Sequence, residues 1–193
     1  MPHPPFDPSK AVTFDLVHGQ VYLGEATASL LLPVTALLPL VCGEPDERAA
    51  AVARAIGTSF GHRVAKRFGA DVDAPEKLLS ASVEAVVDHL GGELALAGFG
   101  SLRLERWGRA LVLLLDSVPF DVAGDTWVAL LLAAALESAT TRPVGCLPLM
   151  RDSDQVRFLI ANGSTVEQTH AWLRQGITWG DALARLHTQQ AGA

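Results

Sequence analysis

The chain has 193 residues, 49% hydrophobic and 19% charged, with 15 Lys+Arg against 21 Asp+Glu for a net charge of −6. That composition excludes intrinsic disorder, and a chain of this length buries roughly 70% of its unfolded surface without a metal or disulfide staple. The acidic balance argues against nucleic acid or an anionic membrane surface as the main partner, since both select a basic face.

The two cysteines, Cys42 and Cys146, lie far apart in apolar surroundings. They read as buried reduced thiols rather than as a disulfide or a cysteine zinc site. Residues 1–5 carry neither the basic nor the apolar segment of a secretory signal,. The apolar runs at 30–41, 111–115 and 127–136 fall short of the ~18–20 residues that a membrane span needs,. The expectation is a cytoplasmic protein without a transmembrane segment.

In chain order, residues 1–10 hold four prolines and are predicted to form a mobile arm,. Residues 12–16 and 20–23, around His18-Gly19, suit an extended or hairpin entry,. Pro33 suits the first turn of a helix over 34–42, which Pro39 should kink or shorten,. A long helix follows Glu44-Pro45-Asp46-Glu47, with Val52, Ile56, Phe60, Val64 and Phe68 recurring every fourth position as a core-facing stripe,. Beside that stripe run Ala53, Gly57, Gly61 and Ala65. An interior helical glycine costs about 0.8–1.0 kcal/mol relative to alanine, so a pair at i and i+4 suggests close approach by another backbone. The next helix is predicted from an Asp73 cap through Leu79, Val83, Val86 and Leu90, ending at Gly91-Gly92,.

The period then changes to two. Leu102 and Leu104 alternate with charged residues, Trp107-Gly108-Arg109 turns, and residues 110–116 return as a strand apolar on both faces,. Residues 127–140, apolar nearly all round, form a central helix ended by Arg142-Pro143,. Residues 144–150 and 155–161 make a second hairpin with the charged tip Arg151-Asp152-Ser153-Asp154. Two C-terminal helices are signalled by Ser164-x-x-Glu167 and Thr178-x-x-Asp181,. Helices, two strands, a helix, two strands and helices give an α+β fold: a twisted antiparallel sheet of about four strands packed with helices.

Gly57-Thr58-Ser59-Phe60-Gly61 matches the G-x-S-x-G nucleophile elbow, which requires a strand turning sharply into a helix,. Here the apolar stripe runs through the motif and places Ser59 in mid-helix, so a serine hydrolase stands only as a remote alternative. The six histidines contain no H-E-x-x-H and no i, i+4 pair, which leaves no metal site to infer,. Gly98-Phe99-Gly100 lacks the third glycine of a dinucleotide fingerprint and leads into a strand, and the motifs require no cofactor,. Arg103, Glu105, Arg106 and Arg109 read as a solvated hairpin face. Four tryptophans accompany one tyrosine, and core packing is the default for each. Trp172 and Trp179, on the C-terminal pair, are the interaction candidates,.

The ordered set of segments resembles the superfamily that joins vinyl-reductase (4VR) domains with the core subunits of TRAPP tethering complexes. The resemblance spans residues 30–161. It rests on Ile56-Gly57-Thr58-Ser59-Phe60-Gly61-His62-Arg63-Val64, similar to that superfamily's G-x-x-x-G-x-R-hydrophobic helix, and on the run from Leu90 through Gly98-Phe99-Gly100 to Glu105. It implies an α+β domain, usually homodimeric through helical faces, that binds small hydrophobic molecules or an acyl chain or serves as an assembly subunit near small GTPases, and is generally not an enzyme. Two departures follow from the residues. The last hairpin, where many 4VR domains carry zinc-associated cysteines, has none at Arg151-Asp152-Ser153-Asp154, and residues 69–75 lack the cysteine that some TRAPP subunits carry acylated.

The expectation is therefore a flexible arm over 1–10, a 4VR/TRAPP-subunit-like domain over 11–161 and a helical extension over 162–193. It is a non-catalytic, homodimeric, sensory or regulatory binding module. Its apolar pocket is expected between the Gly57/Gly61 helix and the helix over 130–136, lined by Ile56, Phe60, Leu131 and Leu136. It would hold a small hydrophobic molecule or lipid chain, with Gly57, Gly61 and Arg63 as packing residues. The alternative is an adaptor or scaffold acting through protein–protein contacts, with Trp172 and Trp179 among its contact residues.

Overall fold

The computed structural model describes residues 5–23, 27–69 and 82–191. Its centre is a four-stranded antiparallel sheet in the order β4-β5-β7-β6, built from β4 (Ser101–Trp107), β5 (Ala110–Asp116), β6 (Gly145–Asp152) and β7 (Gln155–Ala161). Helices cover both faces, and this is the predicted α+β architecture.

Two long helices and one of intermediate length form the inner layer: α2 (Glu47–Arg67), α3 (Val83–Leu96) and α4 (Asp125–Thr140). Asp46 caps α2 by accepting the Ala49 N–H at 2.7 Å, as a carboxylate at a helix N-terminus should,. Of the α2 stripe, Phe60, Val64 and Phe68 are buried in the main core, while Val52 and Ile56 are half-buried at its edge. Inward residues Leu102, Leu113, Leu115, Val156 and Phe158 supply the sheet's side of that core.

The close approach occurs between α2 and α4. A Cβ added at Gly57 would collide with the Leu131 carbonyl, and one at Gly61 would lie 2.7 Å from Ser138 Cβ and 2.9 Å from the Ala139 nitrogen. The seam is also bonded, with Ser138 Oγ donating to the Thr58 carbonyl at 3.2 Å and Trp127 Nε1 to the Ala49 carbonyl at 3.0 Å. With its 3-10 lead-in, the α4 stretch Val122–Thr140 runs 19 residues at a mean hydropathy of 1.4, long and apolar enough on those counts for a span. Its position between α2 and the sheet accounts for that composition.

Helix α3 corrects an expectation. Gly91-Gly92 do not end it; the helix continues to Leu96, and Gly98, at φ +79°, closes it,. Gly91 instead faces Leu102, and Gly92 leaves the notch in which the Phe6 ring sits. The Asp73–Leu79 part of that predicted helix lies outside the described residues, and Ser82 is the cap observed. The described part of the proline-rich arm makes local contacts. Asp7 caps a 3-10 turn, Pro8–Lys10, and Phe6 lies under Arg67 at 4.3 Å from the guanidinium carbon.

The outer face of the sheet carries a second core of Leu147, Leu159, Leu183 and Leu186, closed by α5 (Gly163–Arg174) and α6 (Trp179–Ala191). Asn162, not Ser164, caps α5, accepting the Thr165 N–H at 2.9 Å. At the charged tip of the second hairpin, Arg151 forks onto Asp125 at the start of α4, with Nε to Oδ2 at 3.1 Å. Cys42 is exposed rather than buried, whereas Cys146 packs against the main core. Ahead of all this, β1 (Val12–Asp15), β2 (Gln20–Leu23) and β3 (Thr27–Ser29) form a separate three-stranded antiparallel meander. Residues 34–42, predicted as one helix, form a 3-10 turn, Val34–Ala36, and a short helix α1 (Leu38–Val41), as Pro39 requires,.

Candidate functional site

Helix periodicity places Phe60 on the core side of α2 and Ser59, Arg63 and Arg67 along its flank. Arg63 donates from Nε to Glu93 Oε2 at 2.6 Å and from Nη1 to Ser59 Oγ at 2.8 Å, while Arg67 donates to the other Glu93 oxygen. Glu93, on α3, is 1% exposed, so its charge is held by two guanidinium groups rather than by water,. Among the described residues, one carboxylate sits between these two arginines. The Arg63 Nη2 atom is buried and has no acceptor among the described residues. A buried charged donor without a partner costs free energy, and a ligand oxygen would relieve that cost.

The Arg63 guanidinium carbon stands 4.9 Å from the centre of the Phe60 ring, within cation–π range. Phe60 meets Phe99 edge-on at 6.0 Å, and Phe99 stacks on Trp127 at 6.3 Å and 14°. Phe120 joins both, at 6.0 and 6.1 Å. Four aromatic side chains from α2, the α3–β4 connection, the β5–α4 connection and α4 thus meet at one end of the core. Gly100, at φ +103°, lets the chain turn beneath Phe99, because a Cβ there would strike the Asp116 carbonyl,. On the outer side of Arg63, an open groove of about 400 Å³ is lined by Ala55, Thr58, Ser59, His62, Arg63 and Lys66. The four rings are buried against one another and none of them lines that groove; Arg63 is the residue common to both, and its Nη2 can serve one ligand oxygen,.

The four residues predicted to line an interhelical chamber lie in different surroundings. Leu131 turns its backbone against Gly57, Leu136 is buried in the main core, Phe60 packs against Phe99, and Ile56 is half-buried. At the levels of the two glycines, α2 and α4 touch, with backbone and side-chain atoms of α4 lying where a Cβ of either glycine would stand. Ser59 lies within a continuous helix with its hydroxyl bonded to Arg63, which is not the geometry of a nucleophile elbow,. Trp179 contacts Trp107 at 4.8 Å and Trp172 lies under Arg185 at 5.7 Å, both within the layer between the C-terminal helices and the sheet. Both remain half-buried, and Trp172 also lines an open groove with Asp181, Ala184, Arg185 and Thr188. Among the described residues, no group of three or more His, Cys, Asp or Glu side chains could hold a metal ion.

Sequence reasoning missed Glu93, Arg67, Phe99 and Phe120. The Gly-Phe-Gly triplet was the available signal for Phe99. Nothing local marked Glu93, whose role comes from α2 residues 26 and 30 positions away.

No protein-family model and no curated protein matches the chain. Among solved structures it is similar to the phenol-responsive sensory domain of the transcription activator PoxR, determined with phenol, at a TM-score of 0.57 and 13% identity. The match covers 86% of this chain and 92% of that one. At that identity the likeness establishes a shared fold: an α+β domain whose architecture is also that of a sensory domain.

Proposed function

We propose that the chain is a non-catalytic, ligand-responsive sensory or regulatory domain for a small hydrophobic molecule bearing one oxygen function. The observation that carries this reading is the fold shared with a phenol-responsive sensory domain, at a TM-score of 0.57 over 86% of this chain. The site supports it chemically. Phe60 ties the Arg63 guanidinium to the aromatic cluster of the core, and Arg63 Nη2 suits a hydroxyl or carboxylate oxygen,. The α2 groove is the way in that we assign. Membership of the 4VR/TRAPP-subunit-like superfamily is part of the same proposal, supported by the glycine-bearing α2 and the order of elements after it.

The test is titration of the purified full chain with phenol, alkylphenols and medium-chain fatty acids, read by calorimetry and by Trp127 fluorescence. Saturable binding is expected for at least one class. Arg63→Lys, which keeps a cation for Glu93 but loses the fork, should weaken it roughly tenfold. No saturable binding in either class would sink the reading. A second reading, an adaptor acting through protein contacts, is favoured by one observation: apolar surface left in water near the N-terminus.

A further inference from the structure

Helix α3 carries two interior glycines, and each gives room to a different neighbour. Gly91 faces Leu102 of the sheet, whereas a Cβ on Gly92 would strike the Phe6 ring. Helix propensity disfavours glycine at such a position, so α3 keeps a notch whose tenant is one aromatic side chain of the N-terminal arm. Three further side chains complete that notch. The Arg67 guanidinium carbon stands 4.3 Å from the centre of the Phe6 ring, and His89 meets the same ring edge-on at 6.1 Å. Phe68 backs His89 at 4.9 Å, and both are buried, while Glu93 fixes Arg67. The walls thus belong to α2, its cap residue and α3, whereas the tenant comes from near a chain end.

The tenant is lightly held. Phe6 is half-buried, but Pro5, Asp7, Pro8 and Ser9 around it are exposed. Asp7 bonds the Ser9 N–H within the arm itself, at 3.0 Å. Residues 5–9 therefore bury one side chain in part, and a segment of that kind opens at low free-energy cost. The notch that opening uncovers meets solvent on the arm's side. It differs in this from the Phe60, Phe99, Phe120 and Trp127 cluster, whose rings are buried against one another.

We propose that the notch is a ring-binding site in its own right, with Phe6 as its built-in competitor, and that an uncharged, electron-rich aromatic ring displaces the arm to occupy it. The ligand class follows from the walls. Arg67 presents a cation to the ring face, which favours an electron-rich π system,. Its counter-charge is already supplied by Glu93, so the site asks for a neutral ring. No residue of the groove at Arg63 lines this notch, and the proposal stands independently of the ligand reading given above. Because ring and arm exclude each other, occupancy is converted into release of residues 5–9, a change that can be read at a distance from the notch.

The test uses the full chain with 5-fluoroindole as the probe, binding being followed by fluorine NMR. Phe6→Ala removes the competitor and should bind the probe roughly tenfold tighter than the wild type does. Adding Gly92→Leu to Phe6→Ala fills the notch and should abolish that binding. In the wild type, saturating probe should erase the nuclear Overhauser contacts between the Phe6 ring and the Arg67 side chain. Gly92→Ala, which favours the helix, should erase the same contacts without any probe, because its Cβ expels the ring,. Equal affinity in the wild type and Phe6→Ala would overturn the site, as would no binding by Phe6→Ala or binding that survives Gly92→Leu. Phe6–Arg67 contacts that persist in Gly92→Ala, or in the wild type saturated with probe, would overturn it too.

Discussion

The seam between α2 and α4 and the N-terminal meander are opposite solutions to the same problem. At the seam, two glycines remove even the methyl group of alanine so that helix backbones can touch, and the nearest atoms are the carbonyl oxygens of Leu131 and Ala135. In the meander, whole leucine side chains stand in water. The first region gains its stability inside one chain, through dense packing and a doubly bonded Glu93. The second makes no such contacts among the described residues of one chain. Apolar residues alone do not tell the two apart, because both regions are rich in them. What differs is whether a second element of the same chain lies within reach.

The sharpest way to break this comparison is Glu93→Ala. Removing the buried carboxylate strands two arginines that are themselves largely covered, and about 3 kcal/mol of stability should be lost in urea unfolding,. Gly61→Ala comes next. The substitution gains up to about 1 kcal/mol of helix propensity, yet a Cβ against backbone atoms of α4 should reverse the sign and leave a net loss of about 2 kcal/mol,. A stabilised Gly61→Ala protein would show that the helices do not touch.

Smaller effects sharpen the contrast. Cys42 is exposed and should react with a thiol reagent at pH 8 in the native state. Burial pushes the Cys146 thiol far up, so it stays protonated and should react only on unfolding, giving one fast and one protected thiol by mass spectrometry,. Equal rates would contradict the packing of Cys146 against the core. The smallest effect belongs to the meander. The His18 ring, and then the His18 backbone N–H, hold the Asp15 carboxyl below its ordinary value of 3.8. A depressed carboxyl contributes stability above the unfolded-state value and loses it as pH falls through the folded one. The His18→Ala variant should raise the Asp15 midpoint in an NMR titration while barely moving the global unfolding transition, because the pair is solvent-exposed.

Much of the main-body architecture was legible in local pattern. The fourfold stripe of α2, the glycine ridge beside it, the alternation of β4 and the turn at Gly108 all follow from the 3.6 and 2.0 periods of side chains along helix and strand. The candidate site was legible in part. Arg63 and Phe60 stood out, but as a packing residue and a pocket wall. Their actual neighbours, Glu93 and Phe99, belong to segments that only the fold brings beside them.

By itself, then, the sequence determined the fold class, the α2 helix with its glycines and the two hairpins of the main sheet, because each is specified by spacing within a few residues. Tertiary structure decided the rest. Gly91-Gly92 stay helical because Leu102 and Phe6 need the room that they leave. Arg151 turns to Asp125, Trp179 faces Trp107, and Leu30–Leu32 remain in water, because pairing between distant segments depends on which surfaces the assembled layers bring within a few ångströms.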